Sequence, residues 1–370
     1  MMGDLFIGLM SGTSLDGVDA VLAHLDSGIT VLAHSHQPFD AALRAELLAL
    51  NTPGENEAHR CALAANGVAR SYAQLVDALL SQSGHQRSEI RALGAHGQTI
   101  RHRPGEFDGC GYTLQLLNGA LLAELSGIAV ISDLRSRDLA AGGQGAPLVP
   151  AFHRALFAQD GRDIAVLNVG GISNISLLAG DGSTRGFDCG PGNCLMDHWV
   201  ERQLGQAFDA DGAWAATGRV LPELLQAMQA EPYFQLSPPR STGRDLFNPD
   251  WLAALLARHA PLAAAQDVQA TLLELTAASI TNDLRRHGPA SSELLVCGGG
   301  ALNGLLMRRL QALLPGVTVL NTAARGLPAM QVEAAAFAWL AQRFVQALPG
   351  NLPSVTGAVG PRLLGALHPA

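Results

Sequence analysis

A short apolar strand that enters a glycine-rich turn and returns as a second strand occurs twice in this chain, and that unit limits the folds open to it. The first copy runs from apolar residues 5–10 through Ser11-Gly12-Thr13-Ser14-Leu15-Asp16-Gly17 to a second apolar run at 20–25. The second begins at 164–169, turns at Gly170-Gly171 and resumes at 175–178. A third strand at 29–33, helices at 40–50 (with Asp40 as N-cap) and 56–80, a strand at 90–95, a helix at 118–125 and a strand at 128–132 follow the first copy. After a helix at 147–157, the second copy leads to helices at 194–204, 221–230, 251–257 and 268–286. Strands at 293–297 and 317–320 then flank a helix at 302–314, before a long helix at 328–347. Strands alternating with helices predict an α/β architecture on a mixed sheet. The recurrence rests on element order rather than matching residues, and 370 residues suffice for about two or three domains.

Composition then removes whole classes of chemistry. All 24 basic residues are arginine, so a Walker A loop, a protein-kinase active site and a pyridoxal Schiff base each lack their lysine. The formal charge of −8, with arginines scattered, argues against nucleic acid as a partner. Five cysteines without a C-x-x-C pair point to free thiols and a cytoplasmic protein, and no apolar run is long enough to span a membrane.

The two hairpin turns, and a third glycine run at Cys297-Gly298-Gly299-Gly300-Ala301-Leu302-Asn303-Gly304, each begin where a strand ends. Glycines and small hydroxyl residues expose backbone N–H groups that suit phosphate oxygens, although any one such turn is also explained by glycine's freedom at positive φ. No G-x-G-x-x-G occurs, so a nucleotide site has to be built from turns of this kind. With lysine absent, carboxylates are the available bases. Asp188, within Gly186-Phe187-Asp188-Cys189-Gly190-Pro191-Gly192-Asn193, is read as lying in a glycine turn before a helix, where substrate approaches closely. Asp16 and Asp19 lie with the first turn, and Asp16 is the candidate Mg²⁺ contact, directly or through water. Each of these aspartates also has an ordinary reading as a cap or Asx-turn.

Two polar stretches follow strands: 95–104, with His96, Gln98 and Thr99, and 132–138, where an extended run would present Asp133, Arg135 and Arg137 alternately. Ligands of open α/β sheets bind at strand carboxyl ends, and an arginine there suits a carboxylate; the competing reading is an Arg/Asp mesh on a surface loop. His34-Ser35-His36 has the spacing of two ligands on one strand face but reads as ordinary strand residues.

GLMSGTSLDGVDA, AHGQTIRHRP, SDLRSRDLAAGGQGAPLVP, LNVGGISNIS, GFDCGPGNCLMD, CGGGALNGLLMRRL and GLPAMQVEAAAFAWLA, in that order and nearly end to end, resemble the anhydro-N-acetylmuramic acid kinase family. The resemblance implies an actin-like, ribonuclease H-like ATPase fold: two lobes, each a mixed β-sheet flanked by helices, with an ATP cleft between them. The lobes are expected at 1–138 with 348–370, and at 139–347. It also implies an unusual reaction, in which ATP, water and 1,6-anhydro-N-acetylmuramic acid give N-acetylmuramic acid 6-phosphate and ADP, a step of peptidoglycan recycling. The family's catalytic aspartate falls on Asp188, and Glu333 is a candidate second carboxylate, with a helix-dipole role as its plain alternative. ATP contacts are expected from Gly12, Thr13, Ser14, Leu15, Asp16, Gly17, Val18, Asp19, Gly170, Gly171, Asn174, Gly299, Gly300 and Asn303. Sugar contacts are expected from His96, Gln98, Thr99, Asp133, Arg135 and Gly190, with Arg135 suiting the lactyl carboxylate. Mg²⁺ accompanies ATP, and a homodimer is the family-level expectation. The alternatives are an ordinary sugar or acid kinase, in which Asp188 activates a substrate hydroxyl, and a nucleotide-gated binding protein.

Overall fold

The structure, a computed structural model, describes residues 5–12, 14–26, 28–243 and 245–370. The chain divides into two compact units, Met1–Leu156 with Gln331–Ala370, and Phe157–Met330.

In the first unit, β1 (Leu5–Met10), β2 (Gly17–Leu25) and β3 (Ile29–Pro38) form the expected meander, joined by β4 (Ile90–Ala95), a separate hairpin of β5 (Gln98–Pro104) and β6 (Gly111–Leu116), and β7 (Val130–Ser132). The sheet order is β3-β2-β1-β4-β7, with a short strand Ala366–His368 beyond β7. β1 and β3 each run antiparallel to β2, whereas β1, β4 and β7 are mutually parallel. Side chains alternate across a strand. Ile7 and Leu9 therefore pack into one core with Val68, Tyr72 and Val76 of helix Glu57–Ser83. Gly8 points the other way, against helix Val332–Val345. A Cβ on Gly8 would lie 1.8 Å from the Ala334 carbonyl oxygen, and one on Gly94 would lie 2.0 Å from that of Phe337. This alanine-rich helix approaches the sheet backbone so closely that only glycine fits beneath it.

The second unit repeats the plan. Its strands are β8 (Ile164–Val169), β9 (Ile172–Leu178), β10 (Thr184–Pro191), β11 (Glu293–Cys297) and β12 (Thr318–Asn321), in the order β10-β9-β8-β11-β12. The first three are antiparallel to their neighbours, and β8, β11 and β12 are parallel. Strand order and sense thus match β3-β2-β1-β4-β7, so the duplication is present in topology, in the ribonuclease H-like pattern. The long helix Ala265–His287 is buried along most of its length and carries part of this unit's core.

Three differences from the sequence reading bear on the site. Asp188 lies on β10, the third strand of its meander, and not in a pre-helical turn; the glycines 186 and 190 had masked a strand. Residues 98–104, read only as a polar stretch after a strand, pair with 111–116 in a hairpin. The 132–138 run is not extended, because Ser136–Leu139 is a helical turn; Arg135 therefore points inward while Arg137 is exposed. The units also divide at 156/157 and 330/331 rather than at 138/139 and 347/348. Helix Val332–Val345 packs on β1. Residues 138–145 are tied to the C-terminal segment through Asp138, whose Oδ1 accepts from Asn351 Nδ2 (2.6 Å) and Thr356 Oγ1 (2.8 Å), and through Gln144 N donating to Thr356 O (2.7 Å).

Candidate active site

In the first unit the β1–β2 turn is held from beneath. The Ser11 hydroxyl shares a hydrogen bond with buried Tyr72 (2.8 Å) and donates to Gly97 O (3.0 Å), while Gln98 Nε2 donates to Gly12 O (3.0 Å). Gln98 is fully buried, and its Oε1 has no hydrogen-bond partner among the described residues, an acceptor beside the turn awaiting a donor. His96 stands next to it, buried against Phe337 at 4.8 Å between ring centroids. Its Nδ1 pairs with Ser11 O (3.1 Å), and its Nε2 accepts from Arg135 Nη2 (2.9 Å). These partners require a neutral ring protonated on Nδ1, in keeping with burial and the Arg135 charge, which push its pKa down to about 3. Arg135 also donates from Nη1 to Gly145 O (2.8 Å) and makes no ion pair among the described residues. Burial lowers its pKa to about 10, opposed by the charges of Glu333 and Asp138. The structure therefore brings Gln98, His96, Arg135 and Glu333 to the base of the β1–β2 turn.

Glycines in this turn differ in what they are for. A Cβ on Gly12 would meet nothing closer than Ser14 Oγ at 3.6 Å, and its φ is ordinary. Neither packing nor backbone strain demands glycine there, so open approach from outside is what remains to explain it. Gly17 is different, since a Cβ there would lie 2.3 Å from Gln37 O. Leu15 and Val18 have their side chains in the core, which leaves only their backbone for a ligand. Thr13 lies outside the described residues.

In the second unit the strand registers place Cys297, Asn168, Asn174 and Asp188 in one row across β11, β8, β9 and β10. Directly opposed residues share a face. Asp188 is clamped through its backbone: its N–H donates to Arg240 O (3.3 Å), and its carbonyl accepts from Tyr233 OH (2.7 Å) and Arg240 Nε (3.1 Å). One carboxylate oxygen, Oδ2, accepts from Thr242 N (3.0 Å), while Oδ1 takes no hydrogen bond among the described residues. Burial pushes the carboxyl up to about 6, with the Thr242 N–H and the Arg240 charge pulling against it. Arg240 itself is buried between Phe187 (5.5 Å) and Tyr233 (5.0 Å) and pairs with Asp283. The result is a half-buried carboxyl with one oxygen anchored, the other available, and a pKa raised to about 6.

Beside that row, the Gly170-Gly171 turn is braced by the start of helix Cys194–Leu204. Asn193 N donates to Gly170 O (2.8 Å), Gly192 N to Gly171 O (2.9 Å), and Asn193 Nδ2 to Val169 O (3.1 Å). Gly299 lies close by, its Cβ position 3.4 Å from Asn193 Nδ2. Gly170 resembles Gly12, because a Cβ would meet only Ile172 O at 3.8 Å. By contrast Gly300 is packed, 2.4 Å from Val169 Cγ1. Asn168 Oδ1 is buried and has no partner among the described residues.

Other sequence-predicted residues have structural explanations. Asp19 on β2 accepts from His34 Nε2 (3.1 Å) and His36 Nδ1 (3.2 Å), so the histidine pair meets a carboxylate. Asp133 accepts from Ser136 Oγ (2.5 Å), stopping its own turn at a φ of 51°. Asn303 caps helix Gly304–Leu313 through Leu306 N (3.1 Å). Thr99 Oγ1 accepts from Gln115 Nε2 (3.2 Å) across the β5–β6 hairpin. Gly190, at a φ of 137°, sits on the β10 bulge, 2.7 Å from Phe234 at its Cβ position. Asp16 is exposed and accepts from Ser14 Oγ (2.7 Å). No group of three His, Cys, Asp or Glu among the described residues could hold a metal. Tyr233, Arg240, Thr242 and Asp283 escaped the sequence reading. They come from an irregular stretch and a helix face without any motif, and only the fold brings them behind β10.

None of the five cysteines forms a disulfide, and no described helix is long and apolar enough to cross a membrane. The family model of anhydro-N-acetylmuramic acid kinase matches residues 4–370. A relative of that name from Variovorax paradoxus is 63% identical, with all of both chains covered. Others from Cupriavidus pinatubonensis and Pseudomonas paraeruginosa are 58% and 53% identical, each covering 99% of both chains. A likeness that runs through both units, from the β1–β2 turn to the C-terminal strand, leaves one assignment: the chain belongs to the anhydro-N-acetylmuramic acid kinase family.

Proposed function

We propose that the protein opens the internal ether of 1,6-anhydro-N-acetylmuramic acid with water and transfers the γ-phosphoryl group of ATP to the freed 6-oxygen. The Asp188 carboxylate removes a proton from water as that water attacks the anomeric carbon. The C1–O6 bond then breaks with its electron pair passing to O6, and O6 attacks the γ-phosphorus as ADP leaves. The observation that carries this reading is Asp188 itself, clamped through its backbone, with one oxygen on Thr242 N and a carboxyl near pH 6.

The open glycines 12 and 170 suit the approach of phosphate oxygens to backbone amides, which take over what a lysine does elsewhere. Mg²⁺, when bound, would neutralise phosphate charge, with Asp16 as the residue that would hold it, directly or through water. Arg135, without an ion pair of its own, is assigned to the lactyl carboxylate, and neutral His96 positions it. The buried Gln98 Oε1 accepts from a sugar hydroxyl or amide. Glu333 tunes Arg135 and is a second carboxylate for the proton traffic. The protein works in the cytoplasm as a homodimer.

Asp188→Asn tests the assignment, because Asn keeps the Thr242 bond and loses the base. Turnover is expected to fall at least about a thousandfold, at the upper end for a general base, with ATP binding by calorimetry unchanged. Turnover within a few-fold of the parent would remove Asp188 from this role.

A further inference from the structure

The first unit holds a cavity of about 500 Å³ lined on one side by Ala151 and Arg154, and on the other by Trp339, Arg343, Asn351 and Leu352. Its floor is apolar, since Ala151, Leu352 and Val355 form a small core of their own with Trp339 packed on it. A volume of this size accommodates a small molecule.

The charge of the lining is what sets it apart. The chain carries 32 acidic and 24 basic residues, yet this cavity has two arginines and no carboxylate in its wall. Neither Arg154 nor Arg343 makes an ion pair among the described residues. Arg343 is fixed in place: its Nε donates to Pro349 O (2.9 Å), and its guanidinium stacks over Trp339 at 5.3 Å. Burial and the charge of Arg154 both lower its proton affinity, so the pair sits at an electrostatic cost that an anion between them would relieve. The Asn351 side chain is already committed, with Nδ2 donating to Asp138 Oδ1 (2.6 Å) and Oδ1 accepting from Arg362 N (2.6 Å), so the recognition falls to the arginines.

We propose that this cavity is a binding site for a small organic anion, with one carboxylate between Arg154 and Arg343 and a flat or apolar body against Trp339 and Leu352. The cavity lining shares no residue with those assigned to catalysis or substrate, and its occupancy is read directly, so this proposal stands or falls independently of the catalytic reading.

Benzoate is a suitable probe and benzamide its neutral isostere. Binding is followed by the indole N–H resonance of Trp339, assigned by its loss in Trp339→Phe. Benzoate is expected to shift that resonance saturably, with benzamide at least about tenfold weaker. Arg154→Gln and Arg343→Gln are each expected to weaken benzoate about tenfold, with kinase activity unchanged. Arg154 is exposed, so its variant decides the matter if Arg343→Gln loses its cooperative melting transition. No saturable shift below about 10 mM, equal binding of benzamide, or parental affinity in the folded glutamine variants would overturn the proposal.

Discussion

Asp188, the proposed base, shows how a single residue's chemistry is set by its surroundings. The sequence marks it by neighbouring glycines, but its raised pKa comes from burial on β10, held in check by Arg240 and Thr242, which lie 52 and 54 positions away along the chain. The carboxyl sits near pH 6, so kcat/KM is expected to fall below that value along one ionisation, and a rate profile between about pH 4.5 and 8 measures it. Stability moves oppositely. A carboxyl raised in the folded state binds its proton more tightly there than in the unfolded chain. That stabilisation is full below the ordinary value of 3.8 and is lost as pH rises through about 6. Asp188→Asn is therefore expected to be more stable than the parent by on the order of 1–3 kcal/mol near neutral pH, with the gap closing in acid, as denaturant melts would report. Arg135 offers a second test at this scale. Arg135→Gln is expected to raise KM for the anhydro sugar about tenfold or more, and to have little effect on an analogue without the lactyl carboxylate. Equal losses on both sugars would assign Arg135 a structural role instead.

At the scale of the element, the glycine turns separate into positions where glycine is needed for packing and positions where it is not. Gly12→Ala and Gly170→Ala meet no protein atom closer than 3.6 Å, so both are expected to melt with the parent while KM for ATP rises. Gly300→Ala drives a methyl group into Val169 and is expected to cost about 1–3 kcal/mol. Gly94→Ala meets the Phe337 carbonyl, a backbone atom that cannot turn aside, and is expected to cost about 3 kcal/mol or more. Thermal melts and ATP titrations of the four proteins separate these cases. The turns themselves were legible in sequence because strands end abruptly in glycine and serine. What the sequence did not reveal was that β10 is a strand, since Gly186 and Gly190 interrupt its pattern, or that the polar residues 98–104 pair with 111–116. Pairing is a long-range property, and a half-polar hairpin carries little local periodicity.

Over the whole molecule, the repeated strand, turn, strand unit correctly announced a duplicated topology, because element order survives where residue identity does not. The unit boundaries were less legible. Helix Val332–Val345 follows second-unit residues in sequence, yet it belongs to the first unit because its alanines need the glycines of β1 and β4. Gly8 and Gly94, both inside strands, were the signal for that close approach. The absence of lysine narrows the chemistry as well: backbone amides, hydroxyls, arginine and carboxylates are among the groups on hand, and the proposed base, Asp188, has its pKa raised to about 6. The central claim is that one protein joins hydrolysis to phosphoryl transfer, and it is tested most directly by mass spectrometry of the sugar product formed with Mg-ATP in ¹⁸O-water and quenched early. The expected product is heavier by one phosphoryl group and one water, with the label on the hydroxyl oxygen at the anomeric carbon. A phosphorylated sugar that has gained no water, or label found in the phosphate, would contradict it.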